Sequence, residues 1–200
     1  MNAPITYLIT KGEATPKNFQ QKRSEILTII EAAVVAGISM IQIREKSITA
    51  KQLFELTADA AAITSGSTTK LLVNGRPDVA SAAGGDGVHL PGNGLPIADV
   101  RRSFAQPFLI GASVHDAEAA REAKSEGADF IVFGPVFETP GKNAKGIESL
   151  SELCSELGGF LVIAIGGIDA TNFQKVLDEG AAGYAAIRYL NDLDVLKKLR

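Results

Sequence analysis

Short apolar runs alternate along the 200-residue chain with longer segments in which apolar and charged positions recur at helical spacing. The strand candidates are ITYLIT (5–10), SMIQIRE (39–45), KLLVN (70–74), GVHL (87–90), FLIGAS (108–113), FIVFG (130–134), FLVIAIG (160–166) and GYAAIR (183–188). Several are nearly continuous apolar runs, the pattern of strands buried on both faces of a parallel sheet. Between them lie amphipathic stretches such as SEILTIIEAAVVAG (24–37), AKQLFELTADAAAI (50–63), DAEAAREAKSEG (116–127) and DATNFQKVLDEG (169–180). Three of these close on Gly37, Gly127 or Gly180 just before a strand, which predicts left-handed glycine caps.

One stretch resists this pattern. In LLVNGRPDVA (71–80), Asn74-Gly75 carries a strong hairpin signal. The residues from Ala80 to Ala83 are small, Ala-rich and helix-like, and no returning strand appears. The pair is therefore read as the end of a third strand that turns into a helix. Eight strand candidates alternating with helices, with no Pro/Gly/Ser linker, predict one (β/α)8 TIM barrel domain over residues 1–200. A doubly wound open sheet is the competing arrangement. The lack of a GxGxxG after the first strand favours the barrel.

Function in a barrel sits at the carboxyl ends of the strands and in the loops attached to them. Polar residues concentrate there: Gln42, Arg44, Glu45 and Lys46, then Asn74, His89, Ser113 and His115, the loop GPVFETPGKNAKG, Gly166-Gly167, and Ile187-Arg188. Gln42, Arg44 and Lys46 alternate on one face, where polar groups are costly unless a ligand or counter-charge meets them. An anionic ligand accounts for two cations there; pairing of Lys46 with Glu45 or Glu138 is the alternative. Gly166-Gly167, before Ile168-Asp169, is read as a phosphate seat at a helix start, after strands seven and eight. Asp169 as a plain N-cap is the bland reading. Arg188 either adds charge there or pairs with an acid. The 138–147 loop, with Lys142 and Lys145, has the composition of a lid. His89 reads as a packed barrel histidine and Cys154 as core.

Composition narrows the classes. Apolar residues make up 46% and charged residues 22%, as in a soluble globular chain. A net charge of -3 gives no basic footprint for nucleic acid. One Cys and two His exclude an internal disulfide and a soft-metal cluster. The chain has neither a signal-like start nor an apolar run of about eighteen residues. A cytoplasmic enzyme or binding protein is expected.

IQIREK (41–46), LLVNGRPDVA, GDGVHLP (85–91), IGASVHDAEAA (110–120), GADFIVFGPVFET (127–139), VIAIGGI (162–168) and GAAGYAAI (180–187) resemble one family in order and spacing. It is the thiamine phosphate synthase / thiazole tautomerase (TenI) superfamily, and the resemblance covers nearly the whole chain. It implies a barrel enzyme of thiamine biosynthesis acting on small phosphorylated substrates, and is compatible with a homo-oligomer.

The synthase branch joins an aminopyrimidine methyl diphosphate to a thiazole phosphate and expels diphosphate with the help of Mg²⁺. On that branch, Gln42 to Lys46, Asn74, Ser113 and Lys142 would contact the pyrimidine diphosphate. Thr139, Gly167, Ile187 and Arg188 would match the thiazole phosphate site. This chain departs from the branch at several points. Gly75 stands where synthases carry a metal-binding Asp, and LPGNGLP lacks the second one, which leaves Asp78 or Asp86 as substitutes. Thr-x-Thr-Lys is reduced to Thr139-Pro140-Gly141-Lys142, and Arg188 replaces a Ser.

VNGR, the LP after strand four, SVH and VFET resemble the TenI branch. Its members aromatise a carboxylated thiazole phosphate by moving a proton, with no metal. There, Pro135 stands where a tautomerase carries a His. His115 and Glu138 are the nearest replacements, with Lys46 as a further catalytic candidate. The expectation is a tautomerase without metal or cofactor, with substrate contacts at Gln42, Arg44, Lys46, Asn74, Ser113, Thr139 and Lys142. Its phosphate seat would be Gly166, Gly167, Ile187 and Arg188. A Mg²⁺-dependent synthase and a non-catalytic phosphate-ligand binder are the alternatives.

Overall fold

In the computed structural model, which describes residues 3–199, the apolar runs form eight strands. These are β1 (Ile5–Ile9), β2 (Met40–Ile43), β3 (Lys70–Asn74), β4 (Gly87–Leu90), β5 (Leu109–Val114), β6 (Phe130–Phe133), β7 (Leu161–Ile165) and β8 (Gly183–Ala186). They succeed one another in sequence order round a closed barrel. A helix comes after every strand: α1 (Phe19–Val35), α2 (Ala50–Thr64), α3 (Pro77–Ala82), α4 (Ile97–Ser103), α5 (Ala117–Ser125), α6 (Ile147–Leu157), α7 (Phe173–Asp178) and α8 (Leu193–Lys198). This is a (β/α)8 barrel, and the open-sheet alternative is discarded. β2, β4, β6 and β8 are buried at every position, as the continuous apolar runs predict.

The chain forms two compact units. One holds Tyr7–His89 with the C-terminal residues from Ile187, the other Leu90–Ala186 with the N-terminal residues up to Thr6. In the first, β1 to β4 pair in parallel with Ile9 opposite Gln42, Gln42 opposite Leu72, and Asn74 opposite His89. Leu8, Ile30, Ile41, Ile43, Leu56, Leu71 and Leu72 are fully buried. At roughly 1.5–3 kcal/mol for each such aliphatic side chain, packing outweighs the half-exposed Arg23–Asp59 ion pair, which is worth about 1 kcal/mol at most. In the second unit, β5 to β8 also pair in parallel. Ile110, Ile131, Leu150, Ile163 and Val176 are its buried centre.

The predicted caps are present, with φ of 72, 96 and 91° at Gly37, Gly127 and Gly180. After β3, Gly75 takes φ 65° and its amide donates to the His89 carbonyl at 2.8 Å. Pro77 then opens α3, so Asn74-Gly75 ends a strand and forms no hairpin. Two helix starts differ from expectation. α1 begins at Phe19, before the predicted stretch, because Phe19 is buried. α7 begins only at Phe173, because the Asp169 carboxylate accepts from the Thr171 amide and hydroxyl at 2.8 and 2.7 Å and closes a turn instead of capping a helix. No helix among the described residues is long and apolar enough to cross a membrane.

Candidate active site

In the first unit, Gln42 is 1% exposed. Its Nε2 donates to Asn74 Oδ1 at 3.1 Å, while its Oε1 has no hydrogen-bond partner among the described residues. A buried amide oxygen left in that state costs about 1–3 kcal/mol, a cost that a ligand donor relieves. Arg44 lies just past β2, its amide held by Thr10 Oγ1 at 2.9 Å. Its side chain is half-buried and has no ion-pair partner among the described residues. Lys46 is exposed. Glu45, read as a counter-charge for Lys46, is committed to backbone: its two carboxylate oxygens accept from Gly12 at 3.0 Å and Ala14 at 2.8 Å.

His89 on β4 is 3% exposed, with its ring 6.0 Å from that of Tyr7. Burial, then the Arg44 charge, pushes its pKa down to about 4, so it stays neutral as a packed barrel histidine does. This depression ties stability to pH. The unfolded chain takes up this proton near pH 6.5, and the folded chain only near 4. Stability is therefore complete above about pH 6.5 and falls as the pH drops towards 4, by about 3 kcal/mol in all. Urea unfolding between pH 7 and 4 checks this. His89→Gln is expected to flatten the slope, and an unchanged slope would exclude His89 as its source.

After β8, Ile187 is half-buried and Arg188 exposed. Sequence reasoning missed the residue that shapes this turn. Asn191 Nδ2 donates to the Ile187 carbonyl at 2.6 Å and to the Ile9 carbonyl at 2.7 Å. No motif marks it.

In the second unit, Ser113 is half-buried near the end of β5, and the exposed His115 lies two residues on. His115 Nδ1 lies 2.7 Å from the Gly134 carbonyl oxygen. A carbonyl only accepts, so Nδ1 carries a proton, and in the neutral ring Nε2 presents a lone pair. Asp116 caps α5, accepting from the Ala119 amide at 2.9 Å, and so anchors the residue next to His115.

The 138–147 loop is tied at its base. Val136 and Phe137 amides donate to the Ile165 and Gly166 carbonyls at 2.8 and 3.1 Å, and the Lys145 amide donates to Pro135 at 2.7 Å. Its tip is a turn closed by the Lys142 amide on Thr139 at 3.0 Å. Thr139 is half-buried, whereas Glu138, Lys142 and Lys145 are exposed.

Gly166 and Gly167 serve close packing. A Cβ on Gly166 would lie 2.4 Å from Pro135 Cα and Cβ, and one on Gly167 would lie 2.8 Å from Phe137 Cβ. Asn172, also missed from sequence, braces the turn: its Nδ2 donates to the Gly167 carbonyl, and its Oδ1 accepts from the Asp169 amide, both at 2.9 Å. The expected helix terminus behind the glycines is absent, since α7 starts at Phe173. Any phosphate seat here rests on turn amides, and the Gly167 amide has no protein acceptor among the described residues.

The residues present do not fit a magnesium ion held as synthases hold it. β3 ends in Asn74-Gly75. Asp78 lies on α3 in a two-pronged bond to Arg76 at 2.8 and 2.6 Å, which holds its carboxyl below the usual range. Asp86 precedes β4, at the amino end of the strands, where Lys70 Nζ at 3.0 Å and the Leu71 amide at 2.8 Å occupy it. Both carboxylates are thus already engaged, Asp78 by Arg76 and Asp86 by Lys70 and the Leu71 amide. Asp99 on α4 pairs with Arg102 at 2.8 Å. Among the described residues, no three His, Cys, Asp or Glu side chains gather in a metal-holding group.

The family model described as thiamine monophosphate synthase matches residues 6–190. A thiamine-phosphate synthase of Methanoculleus marisnigri is 39% identical over 78% of this chain and 75% of its own. One from Caldanaerobacter subterraneus is 33% identical over 87% of this chain and 83% of its own. A solved thiamine phosphate pyrophosphorylase from Pyrococcus furiosus superposes with a TM-score of 0.83 at 31% identity, covering 98% of this chain and 91% of that one.

Proposed function

Because this chain belongs to the thiamine monophosphate synthase / TenI family, whose members are enzymes of thiamine biosynthesis, we propose that it acts on a carboxylated thiazole phosphate and aromatises it by metal-independent proton transfer. The carrying observation is the His115 ring, whose Nδ1 bond to Gly134 leaves Nε2 as a directed base. Nε2 takes a proton from the substrate and returns one at another position, so composition is unchanged while the ring becomes aromatic. The phosphate contacts are assigned to the Gly166–Gly167 turn and, from the resemblance, to Ile187 and Arg188. Arg44, a half-buried cation with no ion-pair partner among the described residues, is assigned to a substrate anion.

A second reading is thiamine phosphate synthesis. The names of the relatives favour it more directly than they favour the tautomerase. Against it stands the carboxylate set, which leaves diphosphate departure without its metal ligands.

One assay separates the readings: carboxythiazole phosphate and pyrimidine diphosphate, with Mg²⁺ or with chelator, in deuterated water. Aromatisation in chelator, with deuterium in the product, is the expected result. Thiamine phosphate formed only with Mg²⁺ supports the synthase. A protein that binds the product and leaves the aromatisation rate unchanged is a binder, and the proposal fails.

A further inference from the structure

Beside Arg44 stands a carboxylate with no role in the proton transfer. Glu45 is 4% exposed, and both its oxygens are occupied, by the Gly12 amide at 3.0 Å and the Ala14 amide at 2.8 Å. What it holds is the segment that wraps Arg44. A Cβ built on Gly12 would meet the Arg44 carbonyl oxygen at 3.1 Å and a guanidinium nitrogen at 3.4 Å, and Gly12 takes φ 78° to lie there. Thr10 continues the same wall, accepting the Arg44 amide at 2.9 Å.

Other contacts share the load: the Thr10 amide donates to the Gln42 carbonyl at 3.0 Å, Asn18 Nδ2 donates to the Glu13 carbonyl at 3.2 Å, and Thr10 and Ala14 are buried. A cleft of about 430 Å³ borders the segment, lined in part by Lys11, Glu13, Ala14, Glu45 and Leu193. The exposed Glu13 is tied to Lys22 of α1 at 2.9 Å, a pair open to water and weakened by salt. The two bonds from buried Glu45 are charge-assisted and shielded from water, which makes them the stronger tether.

We propose that Glu45 is a positioning residue, whose buried carboxylate fixes the Thr10–Ala14 segment as a wall aiming the Arg44 guanidinium at an anionic group of the substrate. This rests on the reading of Arg44 as the anion-binding cation. A glutamine at position 45 keeps the shape but turns an NH2 group towards one of the two amide donors. A guanidinium released from its wall samples several rotamers, and anion affinity falls with the share of time it spends aimed.

The test uses inorganic pyrophosphate as the probe and the full chain. Glu45→Gln is expected to speed hydrogen exchange at the Gly12 and Ala14 amides by about tenfold or more. It is also expected to weaken pyrophosphate binding by about tenfold, with kcat changed far less than KM. In an Arg44→Ala background the same substitution is expected to weaken binding no further, because Glu45 acts through Arg44. A folded Glu45→Gln protein with unchanged pyrophosphate affinity overturns the proposal, as does a full additional loss on top of Arg44→Ala. An Arg44→Ala protein that binds pyrophosphate normally overturns it too. Should Glu45→Gln fail to fold, Gly12→Ala disturbs the same wall and is read by the same criteria. Wild-type protein that binds pyrophosphate but leaves thiazole aromatisation unchanged removes the proposed reaction only; the Glu45 comparison still decides the positioning role.

Discussion

If the proposed aromatisation runs through His115, replacing it with alanine is expected to lower the rate by about 10²–10⁴-fold, the contribution of a positioned general base. The thermal midpoint moves little, because His115 is exposed and gives up a single recorded hydrogen bond, from Nδ1 to Gly134, worth about 1 kcal/mol. Rate loss without unfolding is the signature to look for in single-turnover measurements. Product affinity is expected to stay near the wild-type value, since the proposed phosphate contacts involve other residues. Added imidazole restores part of the rate by supplying the missing base. A residual rate within threefold of wild type would remove His115 as the base and return the role to Glu138 or Lys46, both exposed. Thiamine phosphate formation, if the synthase reading holds, is insensitive to this substitution, so the variant also discriminates between the reactions.

Gly166→Ala is expected to be strongly destabilising, at about 4 kcal/mol. Two terms make it up. At φ 102° an L side chain is strained, by roughly 1–3 kcal/mol. The new methyl also meets Pro135 Cα and Cβ at 2.4 Å, atoms of backbone and ring that cannot rotate aside, which adds roughly 1–3 kcal/mol of overpacking. Against a folding margin of about 5–15 kcal/mol, that is a large fraction. Gly66→Ala is the control: φ is 76° there, but nothing lies within 4 Å, so only the strain term of about 1 kcal/mol remains. Urea midpoints of the two variants measure the difference. Equal midpoints would mean that contact with Pro135 does not constrain the turn.

Much of the fold can be read in the residues. Strands such as FIVF and GYAA are apolar throughout because one face fills the barrel and the other meets helices, and both are buried at every position. Gln42 stands out for the same reason, a polar side chain inside such a run, and it does end with an unpartnered oxygen. Gly166-Gly167 is legible as a special place, but for a partly different reason from the one expected: its first need is the close approach of Pro135 and Phe137. Asn191 is invisible in sequence because one of its acceptors, the Ile9 carbonyl, lies 182 positions away. The backbone partners of Glu45 are hidden for a related reason. Its neighbour Lys46 is the obvious charge partner on paper, whereas the structure brings Gly12 and Ala14 amides from a distant loop.

The same division holds for the chemistry. Gly75 after Asn74 could be read directly, since an absent side chain needs no structure to be absent. Whether Asp78 or Asp86 could stand in for it could not, because a carboxylate's use depends on which end of the strands it occupies and what already binds it. Asp86 lies at the amino end against Lys70, and Asp78 lies against Arg76. Apolar periodicity located the strands and the strand ends that carry polar groups, because two-sided burial is a local requirement on each strand, while the eight regular units and the lack of a GxGxxG favoured a barrel that the structure then closed. Which of those groups meet, which proton sits on His115, and which cation is left without a partner were decided only by tertiary structure. Hydrogen bonds and charges depend on distances of a few ångströms between residues far apart in the chain.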